Sequence, residues 1–509
     1  MAGSRTTRRR PGPAGGVDPA RRAAYDVLRA VVERDAYANL LLPATLTERG
    51  IAGRDAALAT ELTYGTLRGQ GSYDAVLEVC SDRPIGRIDA TLRQVLRLGV
   101  HQLLATRIPA HAAVAASVDL AKDVSGARQA GFVNAVLRRV ATRDLSTWLE
   151  IVTPSRADDP IGHLAIRHSH PRWVVAAMAV SLGEAADGPL AETEALLKAD
   201  NARPGVTLLA KPGQVAPGEF AAAGAVPARW SAYGAYLQEG NPAEVPAVAD
   251  GRAMVQDEAS QLAAIALAGA PVTGPDRRWL DLCAGPGGKA SLLAGLATAR
   301  GARLVAADVQ PHRAALARAA IAGRVTGPWP ASGRQGSAGR VIVADATSPA
   351  WRLGSFDRVL ADVPCSGLGA LRRRPEARWR RAPRDITVLA ALQRRLLRAA
   401  LKSVRPGGIV GYVTCSPHLD ETGRVVEEVA ADIGGISVVD APAVLAEVPA
   451  LSAAPGAVAP GMAAPGAALP GTSAPGTAAM GAWSACYAQF WPHRHGTDAI
   501  FLALLRRET

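Results

Sequence analysis

Aromatic side chains, cysteines and long apolar runs are all scarce in this chain of 509 residues. Phe, Trp and Tyr together make up 4% of it, and its five cysteines are widely scattered. This spacing excludes a disulfide framework, and without CxxC pairs or Cys/His clusters it predicts no metal site. No apolar run approaches a membrane span, and the basic start lacks the apolar stretch of a signal peptide. We therefore predict a cytoplasmic protein with reduced thiols, no bound metal and no membrane contact.

Apolar residues, by contrast, make up 49% of the chain, which is enough for more than one packed core. The length exceeds what one core supports, so we expect two or three domains. The net charge is +12, and much of the excess is arginine, whose guanidinium offers paired donors to phosphate. This balance favours nucleic acid over a membrane surface as the partner. A GC-rich genome would also give an Ala/Arg-rich chain, so the charge alone does not decide.

The apolar pattern divides the chain into four segments. Residues 1–18 form a basic tail that we expect to be disordered. Residues 19–145 place apolar side chains at helical spacing, which predicts an all-α domain. Residues 150–250 show a mixed pattern and predict a small α+β connector. From 251 to 509 apolar strands alternate with helices, which predicts an α/β domain with a doubly wound, Rossmann-like sheet.

Two stretches of low complexity interrupt this last domain. Residues 323–339 are rich in Gly, Pro and Ser, and we predict a surface loop there. Residues 449–481 repeat units of Ala, Pro and Gly. Because that stretch offers few large side chains to bury, we predict a disordered insertion.

A glycine-rich turn follows the apolar strand that ends at Leu282, and it opens a helix. The next two predicted strands end in acidic residues, at the sheet edge where ligands bind and where a carboxylate takes ribose hydroxyls. Glycines also allow a helix to pack closely on a sheet, so the turn alone is weak evidence. The GxGxxG fingerprint for a diphosphate is missing, which favours S-adenosylmethionine over NAD as the cofactor. The predicted cofactor-binding residues are Cys283, Ala284, Gly285, Pro286, Gly287, Gly288, Lys289, Asp308 and Asp345.

Two cysteines stand at the ends of later strands, about fifty residues apart. One lies in Asp362-Val363-Pro364-Cys365 and the other in Thr414-Cys415-Ser416. A buried cysteine is more often a small core residue than a functional thiol. For Cys283, a role in packing is therefore the alternative to a role in cofactor binding. Loop-forming residues follow Cys365 and Cys415, so we expect both thiols to face the cofactor edge of the sheet.

Two thiols beside a methyl donor suit the methylation of a pyrimidine carbon. C5 of cytosine is too weak a nucleophile to attack a methyl sulfonium, but a thiolate that adds to C6 makes C5 enamine-like. Asp362 is the candidate for a carboxylate that holds a proton near N3. A base must then remove the C5 proton, and a nearby cation or helix N-terminus must keep the attacking sulfur ionised. The residues alone give two candidate thiols and do not rank them.

The segment behind the first thiol, residues 371–381, packs arginines around one tryptophan. Positive charge next to an aromatic ring suits phosphate contact combined with base stacking. A solvated basic loop is the alternative. The predicted RNA-binding residues are Arg372, Arg373, Arg374, Arg378, Trp379 and Arg380.

Together these motifs resemble the Sun family of ribosomal RNA cytosine-5 methyltransferases, in particular its bacterial RsmB type. Residues 281–289 are similar to the family's cofactor loop, 362–369 to its Asp-x-Pro-Cys-Ser-Gly motif and 414–416 to its nucleophile motif. Residues 255–260 are similar to the start of its catalytic domain. In the first domain, stretches such as Gly131-Phe132-Val133-Asn134-Ala135-Val136-Leu137-Arg138 resemble its NusB-type RNA-binding fold.

The resemblance implies an all-α NusB-like domain, the α+β connector and a class I S-adenosylmethionine-dependent methyltransferase domain. It implies methylation of C5 of a specific cytosine in 16S ribosomal RNA. We expect the protein to be a monomer. By resemblance Cys415 is the nucleophile that bonds to C6, Cys365 assists product release, and Asp362 joins the cofactor contacts.

Some points stay open at this stage. The family often has Glu-Glu-Asn after its nucleophile motif, whereas this chain has Asp420-Glu421-Thr422, so the role of that turn is undecided. The alternatives are a cytosine-5 methyltransferase for transfer RNA or DNA, and a non-catalytic RNA-binding factor. DNA enzymes of this chemistry use the Pro-Cys thiol and lack the second one, so Cys415 disfavours DNA. The intact cofactor loop and both thiols disfavour the non-catalytic factor.

Overall fold

A computed structural model describes residues 16–322, 339–447 and 484–509. The chain forms two compact units, the first running to Arg172 and including Arg374–Glu376, the second comprising Trp173–Arg373 and Ala377–Thr509. The loop predicted at 323–339, except Gly339 at the start of a strand, the insertion predicted at 449–481 and most of the predicted tail lie outside the described residues. The predicted domain boundaries near residues 18, 145 and 250 stay a prediction.

The first unit is helical over its described residues. Its first helix begins where the Asp18 carboxylate accepts a hydrogen bond of 2.9 Å from the Arg21 amide, with Pro19 in the first turn. One core joins the helices, with Tyr25, Leu62 and Leu137 among its buried members. The helices are α1 (Pro19–Glu33), α2 (Ala38–Glu48), α3 (Gly53–Ser81), α4 (Ala90–Ala105), α5 (Ala110–Ser125), α6 (Ala127–Val140), α7 (Leu145–Val152) and α8 (Pro160–Arg167).

A small antiparallel sheet lies between residues 206 and 255. The elements there and just before are α9 (Arg172–Leu182), α10 (Ala191–Asn201), β1 (Val206–Ala210), β2 (Ala225–Pro227), β3 (Gly234–Leu237), α11 (Pro246–Ala249) and β4 (Ala253–Val255). The strand order is β2-β3-β1-β4. Apolar side chains from these strands, such as Leu208 and Leu237, pack into a small core of their own with Phe220.

A larger sheet carries the strand ends that the sequence singled out. Its strands are β5 (Arg278–Asp281), β6 (Arg303–Asp308), β7 (Gly339–Val343), β8 (Phe356–Asp362), β9 (Val404–Thr414), β10 (Ile436–Val439), β11 (Ala488–Gln489) and β12 (Phe501–Arg507). The helices between and around them are α12 (Glu258–Gly269), α13 (Gly288–Ala299), α14 (Pro311–Ala322), α15 (Ala377–Arg380), α16 (Pro383–Ser403), α17 (Gly423–Ile433), α18 (Ala441–Ala446) and α19 (Pro492–His495). The strand order is β10-β12-β9-β8-β5-β6-β7, and β11 pairs with β12.

The chain reverses its direction of winding at β5. Leu280 pairs with Val305 of β6 on one side and with Val359 of β8 on the other, and all these strands are parallel. Strands β10, β11 and β12 run antiparallel to their neighbours, so the sheet is mixed rather than wholly parallel. The predicted α/β class is confirmed, and the reversal point is where such sheets bind ligands.

Separate cores cover the two faces of the large sheet. Along β8, Val359 lies in one core and Leu360 in the other, as expected for residues that alternate across a strand. Among the residues that the structure describes, no helix is long and apolar enough to cross a membrane.

Candidate active site

The glycine turn between β5 and α13 leaves no room for side chains at two of its positions. A Cβ on Gly285 would lie 2.6 Å from the Asp308 Oδ2 atom and equally close to Cβ of Arg313. Gly287 has a φ of +111°, and a Cβ there would lie 2.5 Å from Cβ of Ala320 in α14. These glycines therefore bring the backbone close to α14 and to the end of β6.

The strand that leads into the turn, β5, and its neighbour β6 both end in an aspartate. Asp308 accepts hydrogen bonds from the amides of Gly285, at 3.0 Å, and Gln310, at 2.9 Å, so it holds the turn in place. Asp281 is buried, and its Oδ2 has no hydrogen-bond partner in the described structure. Burial, together with the negative charge of Asp362, raises the pKa of Asp281 to about 8.

Lys289 is the cation at this edge of the sheet. It lies in the first turn of α13, and its Nζ is 2.9 Å from Oδ2 of Asp362. Burial lowers the pKa of Lys289, but the charge and hydrogen bond of Asp362 and the charge of Cys415 outweigh it, and the net shift is upward. Lys289 is therefore charged, and its charge interacts with the Cys415 sulfur.

The two predicted thiols meet in the structure. The Sγ atoms of Cys365 and Cys415 are 3.0 Å apart, although the residues are fifty positions apart in sequence. Their meeting follows from the sheet, because β8 and β9 are parallel neighbours with Asp362 opposite Val413. The hydrogen bond with Cys415, burial, and the charges of Cys415 and Glu421 raise the pKa of the Cys365 thiol.

Cys283 and Asp345 are placed less centrally. Burial, reinforced by the charges of Asp281 and Asp362, raises the pKa of the Cys283 thiol far above its usual value, and a cofactor contact by Cys283 stays a prediction. Asp345 is exposed just past β7, and its Oδ1 accepts hydrogen bonds of 2.8 Å from the amide and the hydroxyl of Thr347. These bonds lower the pKa of Asp345. Its role in binding the cofactor stays a prediction.

The predicted RNA contacts need a correction. Arg372 is buried and makes ion pairs of 2.7 Å with both Asp257 and Asp498. Arg378 is fully buried and donates to the Asn201 side chain at 2.8 Å. Charges that deep serve the fold, since they pair with protein groups instead of solvent or ligand. The prediction of RNA contact is therefore wrong for Arg372 and Arg378.

The other members of that segment are less deeply placed. Arg373 is partly exposed but shares the same two carboxylates, with its Nη2 2.9 Å from Asp257. Trp379 and Arg380 are half-buried, and Arg374 is exposed. RNA contact by Arg373, Arg374, Trp379 and Arg380 stays a prediction.

Sequence reasoning missed one buried acid near the thiols. Glu421 is fully buried and binds Ser366, which directly follows Cys365. The signal was an acidic residue a few positions after the second thiol, in the turn whose role the sequence left undecided. Gln393, which also binds Glu421, lies inside α16 and gave no signal at all.

Within residues 16–322, 339–447 and 484–509, no group of three or more His, Cys, Asp or Glu side chains could hold a metal ion.

Comparison with known proteins adds to this geometry. Residues 270–506 match the family described as 16S rRNA methyltransferase RsmB/F, and residues 18–142 match the NusB family. The protein Rv1407 of Mycobacterium tuberculosis, which carries a methyltransferase name, is 47% identical over 509 residues and covers 99% of each chain. The ribosomal RNA small subunit methyltransferase B of Pseudomonas putida is 32% identical over 433 residues, 82% of this chain and 91% of its own.

The crystal structure of PH0851 is similar in fold, with a TM-score of 0.70 and 20% identity, and it covers 96% of this chain and 98% of that one. The predicted resemblance is confirmed, including the NusB domain at the amino-terminal side. The chain therefore belongs to the 16S rRNA methyltransferase RsmB/F family.

Proposed function

We propose that this protein methylates C5 of a specific cytosine in 16S ribosomal RNA, with S-adenosylmethionine as the methyl donor and Cys415 as a covalent nucleophile. The observation that carries the proposal is the pair of thiols 3.0 Å apart at neighbouring strand ends, beside the Lys289–Asp362 ion pair. Few reactions need two thiols, a cation and a carboxylate next to a cofactor turn, and C5 methylation of cytosine uses each of them.

The residues at the glycine turn fit S-adenosylmethionine. The turn lies at the reversal point of the sheet, and Gly285 and Gly287 let its backbone lie close to Asp308, the proposed ribose-binding carboxylate, and to α14. Buried Oδ2 of Asp281 and buried Oε1 of Gln256 lack partners in the described structure, which is the condition of polar atoms that await a ligand. When bound, the cofactor would supply an electrophilic methyl group.

The protein's own side chains would then act in sequence. The Cys415 thiolate, stabilised by Lys289, adds its electron pair to C6 of cytosine and forms a carbon–sulfur bond. Asp362 holds a proton near N3 as charge develops on the ring, and C5 gains the methyl group. Loss of the C5 proton to a base then restores the C5–C6 double bond as the Cys415 sulfur leaves with its electron pair. Cys365, beside that sulfur, assists this release.

Ribosomal RNA is the substrate that the relatives favour. The Pseudomonas putida relative is named a ribosomal RNA small subunit methyltransferase, and we extend that substrate to this chain. The NusB-family domain is proposed to add RNA affinity and no chemistry. Transfer RNA is the second candidate, and the cytoplasmic location and monomeric state stay predictions.

Purified protein with S-adenosylmethionine and unmodified 16S rRNA should yield 5-methylcytidine, detected by mass spectrometry of the digested nucleosides. Transfer RNA serves as the competing substrate in the same assay. Methylation at another base or at another cytosine atom would contradict the proposal.

Asp308→Ala should weaken cofactor binding. The carboxylate holds the turn through the Gly285 amide and is proposed to accept the ribose hydroxyls, so its removal leaves hydrogen-bond partners unsatisfied. We expect a loss of about 1–3 kcal/mol in the free energy of binding, measured by calorimetry with S-adenosylmethionine. Asp432 is an exposed carboxylate on α17, so Asp432→Ala is the matched control. It should bind S-adenosylmethionine with the affinity of the wild type. Equal affinity of Asp308→Ala and wild type would refute the assignment.

A further inference from the structure

The short turn Leu419–Glu421, just after the second thiol, holds a carboxylate in the interior of the protein. Glu421 has 0% of its surface exposed, whereas its neighbour Asp420 has a side chain that is 41% exposed and pairs with Arg424. Among the described residues, no Lys or Arg forms an ion pair with Glu421. A buried carboxylate without a cation is costly unless hydrogen bonds compensate for lost water.

Three neutral donors compensate the charge of Glu421. The amide of Ser366 donates to Oε1 at 2.8 Å, and the Ser366 hydroxyl donates to Oε2 at 2.6 Å. The side-chain amide of Gln393 donates to Oε1 at 2.9 Å. The backbone carbonyl of Glu421 accepts a further bond of 2.8 Å from the Tyr412 hydroxyl. Only a carboxylate can accept all three hydrogen bonds made to the Glu421 side chain, because a side-chain amide has one acceptor oxygen in place of two.

These bonds fasten both sides of the first thiol. Ser366 follows Cys365, and Gln393 also donates at 2.9 Å to the carbonyl of Pro364, which precedes it. The Ser366 hydroxyl lies 3.1 Å from the hydroxyl of Ser416, which follows Cys415. Glu421 thus binds the loop around Cys365 to the turn that follows Cys415, beside the direct Ser366–Ser416 contact.

The charges around the two sulfurs are opposite in sign. Cys415 has the Lys289 ammonium nearby, whereas Cys365 has the Glu421 carboxylate, and that charge contributes to the raised pKa of Cys365. Other charged or titratable groups also face this region: Arg381, Arg394, Tyr412 and His418, whose pKa burial lowers. The Arg381 guanidinium donates to the Ser366 carbonyl at 3.3 Å, and Tyr412 is buried with a raised pKa. Arg381 keeps its positive charge and opposes the charge of Glu421 in part, whereas Tyr412 and His418 are neutral near neutral pH.

We propose that Glu421 is a positioning residue that holds Cys365 beside Cys415 and keeps Cys365 in its thiol form while Cys415 attacks. This inference rests on the proposed function and deepens it by naming the group that positions Cys365 for its part in release. The carboxylate touches neither substrate nor cofactor and acts through Ser366 and Gln393. Its loss should impair release of the methylated base more than attack on it.

Glu421→Gln is the test variant, because it keeps the size of the side chain and removes the charge and one acceptor. Asp420→Asn is the matched control in the same turn. We expect kcat of Glu421→Gln to fall about tenfold to hundredfold, with KM for RNA changed by less than about twofold. We also expect a protein–RNA adduct that survives denaturing electrophoresis, as incomplete release predicts. Asp420→Asn should show neither effect.

A second readout needs no methyl transfer. In a Cys415→Ser background, the rate at which iodoacetamide alkylates Cys365 is followed against pH, with and without Glu421→Gln. The proposal predicts that the variant reacts severalfold faster near pH 7.5. Removal of the Glu421 charge should lower the pKa of Cys365 and so increase the fraction of thiolate, which is the reactive form. If the wild type makes no 5-methylcytidine, the proposed function fails while this readout still judges Glu421.

The outcomes separate cleanly. Unchanged kcat without adduct would overturn the proposal, and so would an unchanged alkylation profile. Affinity for S-adenosylmethionine is the folding control, and it should stay within about twofold of the wild type. If Glu421→Gln also loses cofactor binding, Glu421 supports the whole sheet edge and its assignment as a positioning residue for Cys365 is wrong.

Discussion

Cys415→Ala should lose methyl transfer and form no covalent complex with RNA, whereas Cys365→Ala should trap a complex that survives denaturing electrophoresis. The first variant lacks the sulfur that attacks C6, so no bond forms. The second can still attack, but it lacks the thiol that lies 3.0 Å from the leaving sulfur, so the adduct accumulates. We expect Cys415→Ala to lower kcat by at least about a thousandfold, as removal of a nucleophile does in other enzymes.

Cys486→Ser is the control for this comparison, because Cys486 lies in the turn Ser484–Cys486 and belongs to neither thiol loop. It should show wild-type turnover and no adduct. A trapped complex with Cys415→Ala and none with Cys365→Ala would reverse the two roles. The absence of an adduct in every variant would contradict covalent catalysis by either thiol.

Gly369→Ala should damage both stability and turnover. The amide of Gly369 donates to the Cys415 carbonyl at 2.8 Å, and its own carbonyl accepts from the Ala499 amide at 2.8 Å. A Cβ at this position would lie 1.9 Å from the Ala499 carbonyl oxygen and 2.9 Å from that of Cys415. The backbone atoms of Ala499 and Cys415 cannot move aside as a flexible side chain would. The segments that carry them must therefore move away from position 369. We expect a loss of about 1–3 kcal/mol in the free energy of unfolding and about a hundredfold in kcat.

Gly367→Asn tests whether this effect comes from the close contact. Gly367 also has a positive φ, of +76°, but a Cβ there would meet nothing within 4 Å, and Asn tolerates this backbone conformation. Chemical denaturation and turnover of Gly367→Asn should stay near those of the wild type. Equal losses in both variants, or none in Gly369→Ala, would contradict the contact argument.

The sequence was informative where the signal is local. Strand β6 was predicted to end at the acidic residue that the structure places at the sheet edge, because apolar runs and a terminal carboxylate are adjacent in the chain. The approach of Cys365 to Cys415 was also predictable in outline, since both follow strands of one parallel sheet. Their separation of 3.0 Å was not, because it depends on which strands are neighbours.

The errors arose where the partner is distant in sequence. An arginine run beside a tryptophan has the composition of an RNA-binding loop. No neighbouring residue in the sequence indicates that Arg372 is buried in ion pairs with carboxylates. Asp257 and Asp498, which neutralise it, lie 115 and 126 positions away. Glu421 was overlooked for the same reason, since its donor Ser366 is 55 positions away. Long-range ion pairs and hydrogen bonds are properties of the fold and leave no spacing to recognise.

Bisulfite sequencing tests most directly whether this protein, with Cys415 as its nucleophile, methylates a cytosine of 16S ribosomal RNA at C5. 16S rRNA is compared from the parent strain, from a strain that lacks the gene, and from that strain complemented with the wild-type or the Cys415→Ala gene. The proposed function predicts one cytosine that resists conversion in the parent, is converted without the gene, and is protected again only by the wild-type copy. An identical pattern of protected cytosines in the parent and the strain lacking the gene would contradict it.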